Sequence, residues 1–84
     1  MTYRVIIPSD LQQEIWDLPD DARHAVIDLV SRLRENPDSI TGPYGIEDTG
    51  PERMRQTAVH GVIIVILITD TTGNVRLLRL AHFG

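Results

Sequence analysis

The stretch Gly61–Thr69 limits what this chain can become more than any other. Its seven aliphatic residues, Val62 to Ile68, run without interruption, and all but Leu67 are β-branched. Branching at Cβ stiffens the side chain and favours an extended backbone over a helix. The run has no polar alternation, so both of its faces meet apolar surroundings, as in a central strand. A membrane-spanning helix needs roughly 18 or more apolar residues, far more than are present here.

Other elements fall into place around this strand. Tyr3–Ile7 reads as a first strand that Pro8 ends. Ser9 or Asp10 is placed to cap a helix in which Leu11, Ile15 and Leu18 recur at helical spacing, with Trp16 beside them. That helix stops before Pro19. Asp20 or Asp21 then caps a second helix with an apolar stripe of Ala22, Val26, Leu29, Val30 and Leu33, closed by Asn36-Pro37. His24 falls on its exposed side. Residues 36–52 hold three of the five prolines and three of the six glycines, which predicts a long irregular connection. Arg53–Val59 reads as a strand, and His60-Gly61 resembles an Asn-Gly two-residue hairpin turn. After Val62–Thr69, a turn over Asp70–Asn74 leads to a last strand, Val75–His82. The order is strand, helix, helix, three-stranded antiparallel meander. This predicts a single α+β, two-layer domain over residues 1–84.

Composition narrows the function classes. A chain of 84 residues buries only about 60% of its unfolded surface, so a partner would help to hold it. There is no cysteine, which excludes disulfides and thiolate metal sites. No metal-ligand spacing is present, and no cofactor is expected. The first residues lack the apolar core of a signal peptide, so a cytoplasmic location is expected. Net charge is −4, unevenly spread. Residues 1–52 carry four arginines against eleven carboxylates, whereas residues 53–84 carry four arginines against Asp70 alone. An anionic partner for the second half would fit that asymmetry, as would an acidic helical surface beside strand-edge arginines.

The hairpin turn sets the register, and register sets the faces. Val59 should oppose Val62, Arg55 oppose Ile66 and Arg53 oppose Ile68. If Thr69 pairs with Val75, Ile68 meets Arg76 and Val62 meets His82. One face then holds Arg53, Arg55, Thr57, Arg76 and His82 among Ile64, Ile66, Leu78 and Leu80. The other holds Met54, Ala58, Ile63, Val65, Leu67, Leu77 and Ala81, and is expected to pack on the helices. Arg79 falls on that second face, against the pattern. The first face would be open, an arginine- and histidine-bearing apolar surface for a partner chain or a second copy, or else the tail or the long loop folds over it.

This order and several local patterns resemble the RelE/ParE superfamily of bacterial type II toxin–antitoxin systems. The likeness rests on Tyr3-Arg4-Val5 followed by a helical hairpin, on the basic-x-basic strand Arg53-Met54-Arg55, and on the closing strand Val75-Arg-Leu-Leu-Arg-Leu-Ala-His82. The chain departs from that family at Val59-His60-Gly61-Val62, where an aromatic-Arg pair is usual, and at Phe83, where Arg often follows the closing His. No tyrosine follows His82, and the chain is acidic where most such toxins are basic.

What the resemblance implies is a toxin held by a cognate antitoxin. Its nuclease members cut mRNA in the ribosomal A site, by attack of a 2′-hydroxyl on the neighbouring phosphate. That chemistry needs an acid and a base near the phosphate and cations to hold it. On this reading Arg53, Arg55 and Arg76 hold phosphate through paired hydrogen bonds, and His82 or His60 moves the proton, with Arg55 at the reacting centre. Two other readings stand beside it. One is a gyrase-poisoning toxin of the ParE kind that works by binding, and the other is a non-catalytic interaction module.

Overall fold

The computed structural model describes residues 2–45 and 50–83. Part of the connection expected over 36–52, residues 46–49, lies outside the described residues, as do Met1 and Gly84. The elements are β1 (Arg4–Ile6), α1 (Ser9–Trp16), α2 (Asp20–Glu35), β2 (Gly42–Pro43), β3 (Glu52–Val59), β4 (Val62–Thr69) and β5 (Asn74–His82). The five strands form one sheet in the order β1-β5-β4-β3-β2, with β1 parallel to β5 and the other pairs antiparallel. The aliphatic run β4 is the middle strand, and the two helices form the second layer.

Each helix begins directly after a proline in extended conformation, Pro8 and Pro19, with no side-chain cap. Ser9 and Asp20, expected as caps, instead lie in the first turns, where Asp10, Asp20 and Asp21 complement the positive end of the helix dipole. Arg23 braces the hairpin between the helices. Its Nη1 donates to the carbonyls of Trp16 and Leu18, both at 3.4 Å, and Nη2 pairs with Asp20 at 2.6 Å. The guanidinium also sits 5.7 Å from the Trp16 ring.

The β3–β4 hairpin forms as the sequence predicts. Val59 opposes Val62, Arg55 opposes Ile66 and Arg53 opposes Ile68. His60 and Gly61 adopt φ of 46° and 74°, as a type I′ turn demands. The β4–β5 register departs from expectation. Val62 still meets His82, but a bulge beside Val65/Ile66 leaves Leu78 unopposed and shifts the rest by one residue. Ile68 therefore meets Val75, and Arg76 meets Leu67. The second turn is one residue shorter than expected, because Asn74 already pairs with Thr69. Gly73, at φ 67°, makes that tight return possible.

The helices cover the opposite face from the one expected. Val62, Ile64, Ile66, Ile68, Val75 and Leu77 are buried in one cluster with Leu11, Ile15, Leu18, Ala22, Val26, Leu29 and Leu33 of the helical layer. The face of Ile63, Val65 and Leu67 is the uncovered one. Arg53 and Arg55 were expected in the open, yet they lie on the helix-side face. They are accommodated because on β3 that face meets the 36–41 segment, whose polar groups accept from both guanidiniums. Arg76 and Arg79 both project from the uncovered face, since Arg79 keeps its expected place opposite Val65 and the bulge brings Arg76 opposite Leu67. Among the described residues, no helix is long and apolar enough to cross a membrane.

Candidate functional site

Arg53, Arg55 and His82 share the helix-side face of the sheet, as the hairpin register predicts, but they do not converge. Arg55 pairs with Ile66 and His82 with Val62, so four residues of β4 separate them. At about 3.3 Å per residue this is roughly 13 Å. They also start on strands either side of β4, and Arg55 is bound to Thr41 and the Asp38 carbonyl, so the two side chains share no contact point. Arg76 projects from the opposite face of the sheet and cannot join them.

Both β3 arginines are engaged within the protein. The Arg53 guanidinium binds Asp38 through Nη1 and Nη2, and reaches Asp70 through Nε at 3.2 Å and Nη2 at 3.1 Å. The Tyr3 hydroxyl donates to Asp70 at 3.3 Å. Arg55 donates from Nε to Thr41 Oγ1 at 3.1 Å, and from Nη2 to the carbonyls of Asp38 at 3.1 Å and Thr41 at 2.7 Å. Together these bonds tie the segment after α2 and the β4–β5 turn to β3. The electrostatics agree. Hydrogen bonding to Arg53 holds the Asp38 carboxyl below its usual range, and the two carboxylates raise the Arg53 pKa further. Burial, followed by the nearby Asp70, pushes the Tyr3 hydroxyl up.

The histidines sit at the far end of the sheet. His60 is exposed in the hairpin turn, and His82 is exposed at the end of β5. Between them the chain is drawn tight, since the Phe83 amide donates to the Gly61 carbonyl at 2.7 Å. Neither histidine has a side-chain hydrogen-bond partner among the described residues.

The uncovered face keeps most of the residues that the sequence register groups on it, gains Arg76 and loses Leu77. On it, Met54, Ala58, Ile63, Val65 and Leu67 form an aliphatic field bordered by Arg4, Arg76 and Arg79. None of these three arginines forms a salt bridge among the described residues, in contrast to Arg53 and Arg55. A hollow of about 170 Å³ lies between Tyr44 and Phe83, floored by Ile63, Val65 and Ala81, with Arg79 at its wall. Tyr44 is held there because its amide donates to the Met54 carbonyl at 3.3 Å. A second apolar recess, about 310 Å³, opens on the helical layer between Ile15, Trp16, Val26, Ile27 and Val30. Trp16 is 65% exposed at its edge. Among the described residues there is no cluster of three or more His, Asp or Glu placed to hold a metal ion.

No protein-family model matches the chain, and no curated protein does. Solved structures do. A chain of the archaeal RelE–RelB complex from Pyrococcus horikoshii OT3 superposes with a TM-score of 0.83 at 19% identity, covering 100% of this chain and 98% of that one. A chain of the toxin–antitoxin complex RelBE2 from Mycobacterium tuberculosis superposes with a TM-score of 0.78 at 18% identity, covering 99% and 93%. The two helices and five-stranded sheet described above are thus a RelE-type fold over essentially the full chain.

Proposed function

We propose that this chain is the toxin of a type II toxin–antitoxin pair, held inactive by a cognate antitoxin, and that it blocks translation by binding ribosome-associated mRNA in the cytoplasm. The fold shared with chains of two toxin–antitoxin complexes supports the pairing. So do the apolar surfaces left bare on both layers, which suit a wrapping partner. One observation carries the choice of target. In a chain of net charge −4, Arg4, Arg76 and Arg79 gather on the uncovered sheet face without a salt-bridged carboxylate among the described residues. Such a cationic field suits a polyphosphate backbone. It also repels a second copy of itself, which disfavours a homodimer through this face.

Binding is favoured over cleavage because Arg53 and Arg55 are bound within the protein and lie four or more residues along the sheet from His82, while Arg76 is on the other face. Transesterification at a phosphate requires them within hydrogen-bond reach of one group. The endonuclease reading keeps one point in its favour, which is that Arg53, Arg55 and His82 occupy the same face. For that reaction Arg53 and Arg55 would have to leave Asp38, Asp70 and Thr41.

The test is induced expression in bacteria, with and without the adjacent reading frame. Growth arrest relieved by the neighbour, with intact mRNA retained on ribosomes, is the expected outcome. Absence of arrest would remove the toxin assignment. Site-specific mRNA cleavage that disappears in His82→Ala would establish the endonuclease reading instead. Loss of DNA supercoiling with translation unaffected would move the target to gyrase.

A further inference from the structure

We infer that the recess between α1 and α2 is a binding site for a medium-chain monocarboxylate, with the acid group on Arg34 and the alkyl chain running toward Trp16. The site stands apart from the proposed toxin role and from the sheet. Its size, about 310 Å³, falls at the lower end of the roughly 300–1,000 Å³ of small-molecule pockets. Its lining has the make-up that such pockets share, mostly apolar walls with one aromatic ring and a few polar groups. Ile15 and Val26 are buried in it, Val30 is half-buried, and Ile27 and Trp16 stand exposed at its rim.

Helical spacing builds the polar end. Ser31 and Arg34 lie one turn apart on α2 and both line the recess, while Ile27 and Val30 line it one and two turns earlier. On the α1 side, Gln12 Nε2 donates to the Ile7 carbonyl at 2.8 Å, which fixes that wall. Ile27 and Arg34 are seven residues apart on α2, about 10 Å at 1.5 Å per residue. An unbranched chain laid along the groove matches that length. A partner helix, about 10–12 Å across, is too wide to enter. Charge selects the head group. Residues 9–35 carry seven carboxylates and three arginines. Arg23 pairs with Asp20 and Arg32 with Asp28, whereas Arg34 forms no salt bridge among the described residues. One carboxylate supplies the partner that Arg34 lacks, and the Ser31 hydroxyl offers a donor to its second oxygen. The surplus of carboxylates on the helices repels a phosphate or any other dianion.

Trp16 is the chain's one tryptophan, so its fluorescence reports the recess directly. The full chain is titrated at neutral pH with decanoate, below the concentration at which decanoate forms micelles. A saturable blue shift of Trp16 emission and a rise in Tm are expected. Decanol and decyltrimethylammonium should bind about tenfold more weakly, the lower end for a charge-assisted hydrogen bond, because Arg34 is exposed. Arg34→Gln should weaken decanoate by the same factor and leave decanol unchanged, while Arg34→Lys recovers most of the affinity. Arg32→Gln serves as the control, since Arg32 pairs with Asp28 and does not line the recess, and it should bind like the parent. Thermal midpoints without ligand exclude loss of folding. Absence of a saturable shift, decanol binding as tightly as decanoate, or equal weakening by Arg34→Gln and Arg32→Gln overturns the site. So does an uncharged amphipathic helical peptide that moves Trp16 emission at a lower concentration than decanoate, because a partner's side chain is then the occupant.

Discussion

Replacing Arg53 with Ala separates a structural arginine from a phosphate-binding one. In the folded chain this guanidinium makes four hydrogen bonds to the carboxylates of Asp38 and Asp70. Its side chain is only 23% exposed, whereas both carboxylates are 44% exposed. Hydrogen bonds to charged groups contribute about 1.5–3 kcal/mol each when shielded. Exposed ion pairs contribute about 0–1 kcal/mol. With half of the network in water, the whole set should be worth about 1–2 kcal/mol after that discount. For a domain of this size, that corresponds to a fall in Tm of about 4–16 °C.

Scanning calorimetry or circular dichroism at pH 7 gives the measurement, and a double-mutant cycle with Asp38→Asn isolates the pair. The coupling should be about 0.5–1 kcal/mol and should shrink in 1 M salt. Acid should erase the effect. Asp38 titrates lower in the folded chain than when unfolded, so its contribution is fully present above the ordinary Asp pKa of about 3.9. It is lost as pH falls through the depressed folded value. The Tm difference between the parent and Arg53→Ala should therefore narrow below about pH 4. A loss under 2 °C at pH 7 with no coupling to Asp38 would refute this account, and would return Arg53 to the pool of arginines free to hold phosphate.

The inverted faces of the sheet predict unequal costs for two neighbouring isoleucines. Ile66→Ala removes a fully buried side chain and should cost about 2–5 kcal/mol in denaturant unfolding, whereas Ile63→Ala, at 38% exposure, should cost under about 1.5 kcal/mol. The reverse ranking would mean that the helices lie on the other face. Gly61→Ala should destabilise by about 1–3 kcal/mol, because the turn holds φ at 74° and an added Cβ would come within 2.6 Å of the Phe83 carbonyl oxygen. A neutral Gly61→Ala variant in the same assay would show that the Phe83 end of β5 is not clamped to the hairpin.

Much of the fold was legible because local chemistry speaks clearly there. Pro8 and Pro19 mark where each helix begins, and of the expected stripe Ala22, Val26, Leu29 and Leu33 are buried while Val30 is half-buried. His60-Gly61 predicts the hairpin, and with it every pair along β3 and β4. The candidate site was less legible. Arg53, Arg55 and His82 were rightly placed on one face, but a strand register carries no information about which loop will meet it. Asp38, sixteen residues or so upstream of both arginines, takes their charge. Arg79 falls on its face without the bulge, opposite Val65, but Arg76 reaches that face only through it, and nothing in the sequence brings Tyr44 beside them. The trace of the bulge is present in Arg76-Leu77-Leu78-Arg79, where two adjacent leucines break an alternation that is regular on either side. The short strand Gly42–Pro43 has no local signal, since a proline there predicts a break, although an edge position tolerates it.

By itself, the amino-acid order determined the secondary elements, the tight hairpin and the central place of Val62–Thr69. These depend on branching, turn preference and proline geometry, all of which act within a few residues. Which side of that central strand the helices would cover was left to the tertiary structure. Val62–Ile68 is aliphatic on both sides, so burial energy along it scarcely distinguishes the two. The decision came from partners distant in sequence: a one-residue slip in β5 that turns Val75 and Leu77 inward, and carboxylates from two separate turns that let Arg53 stay beneath the rim.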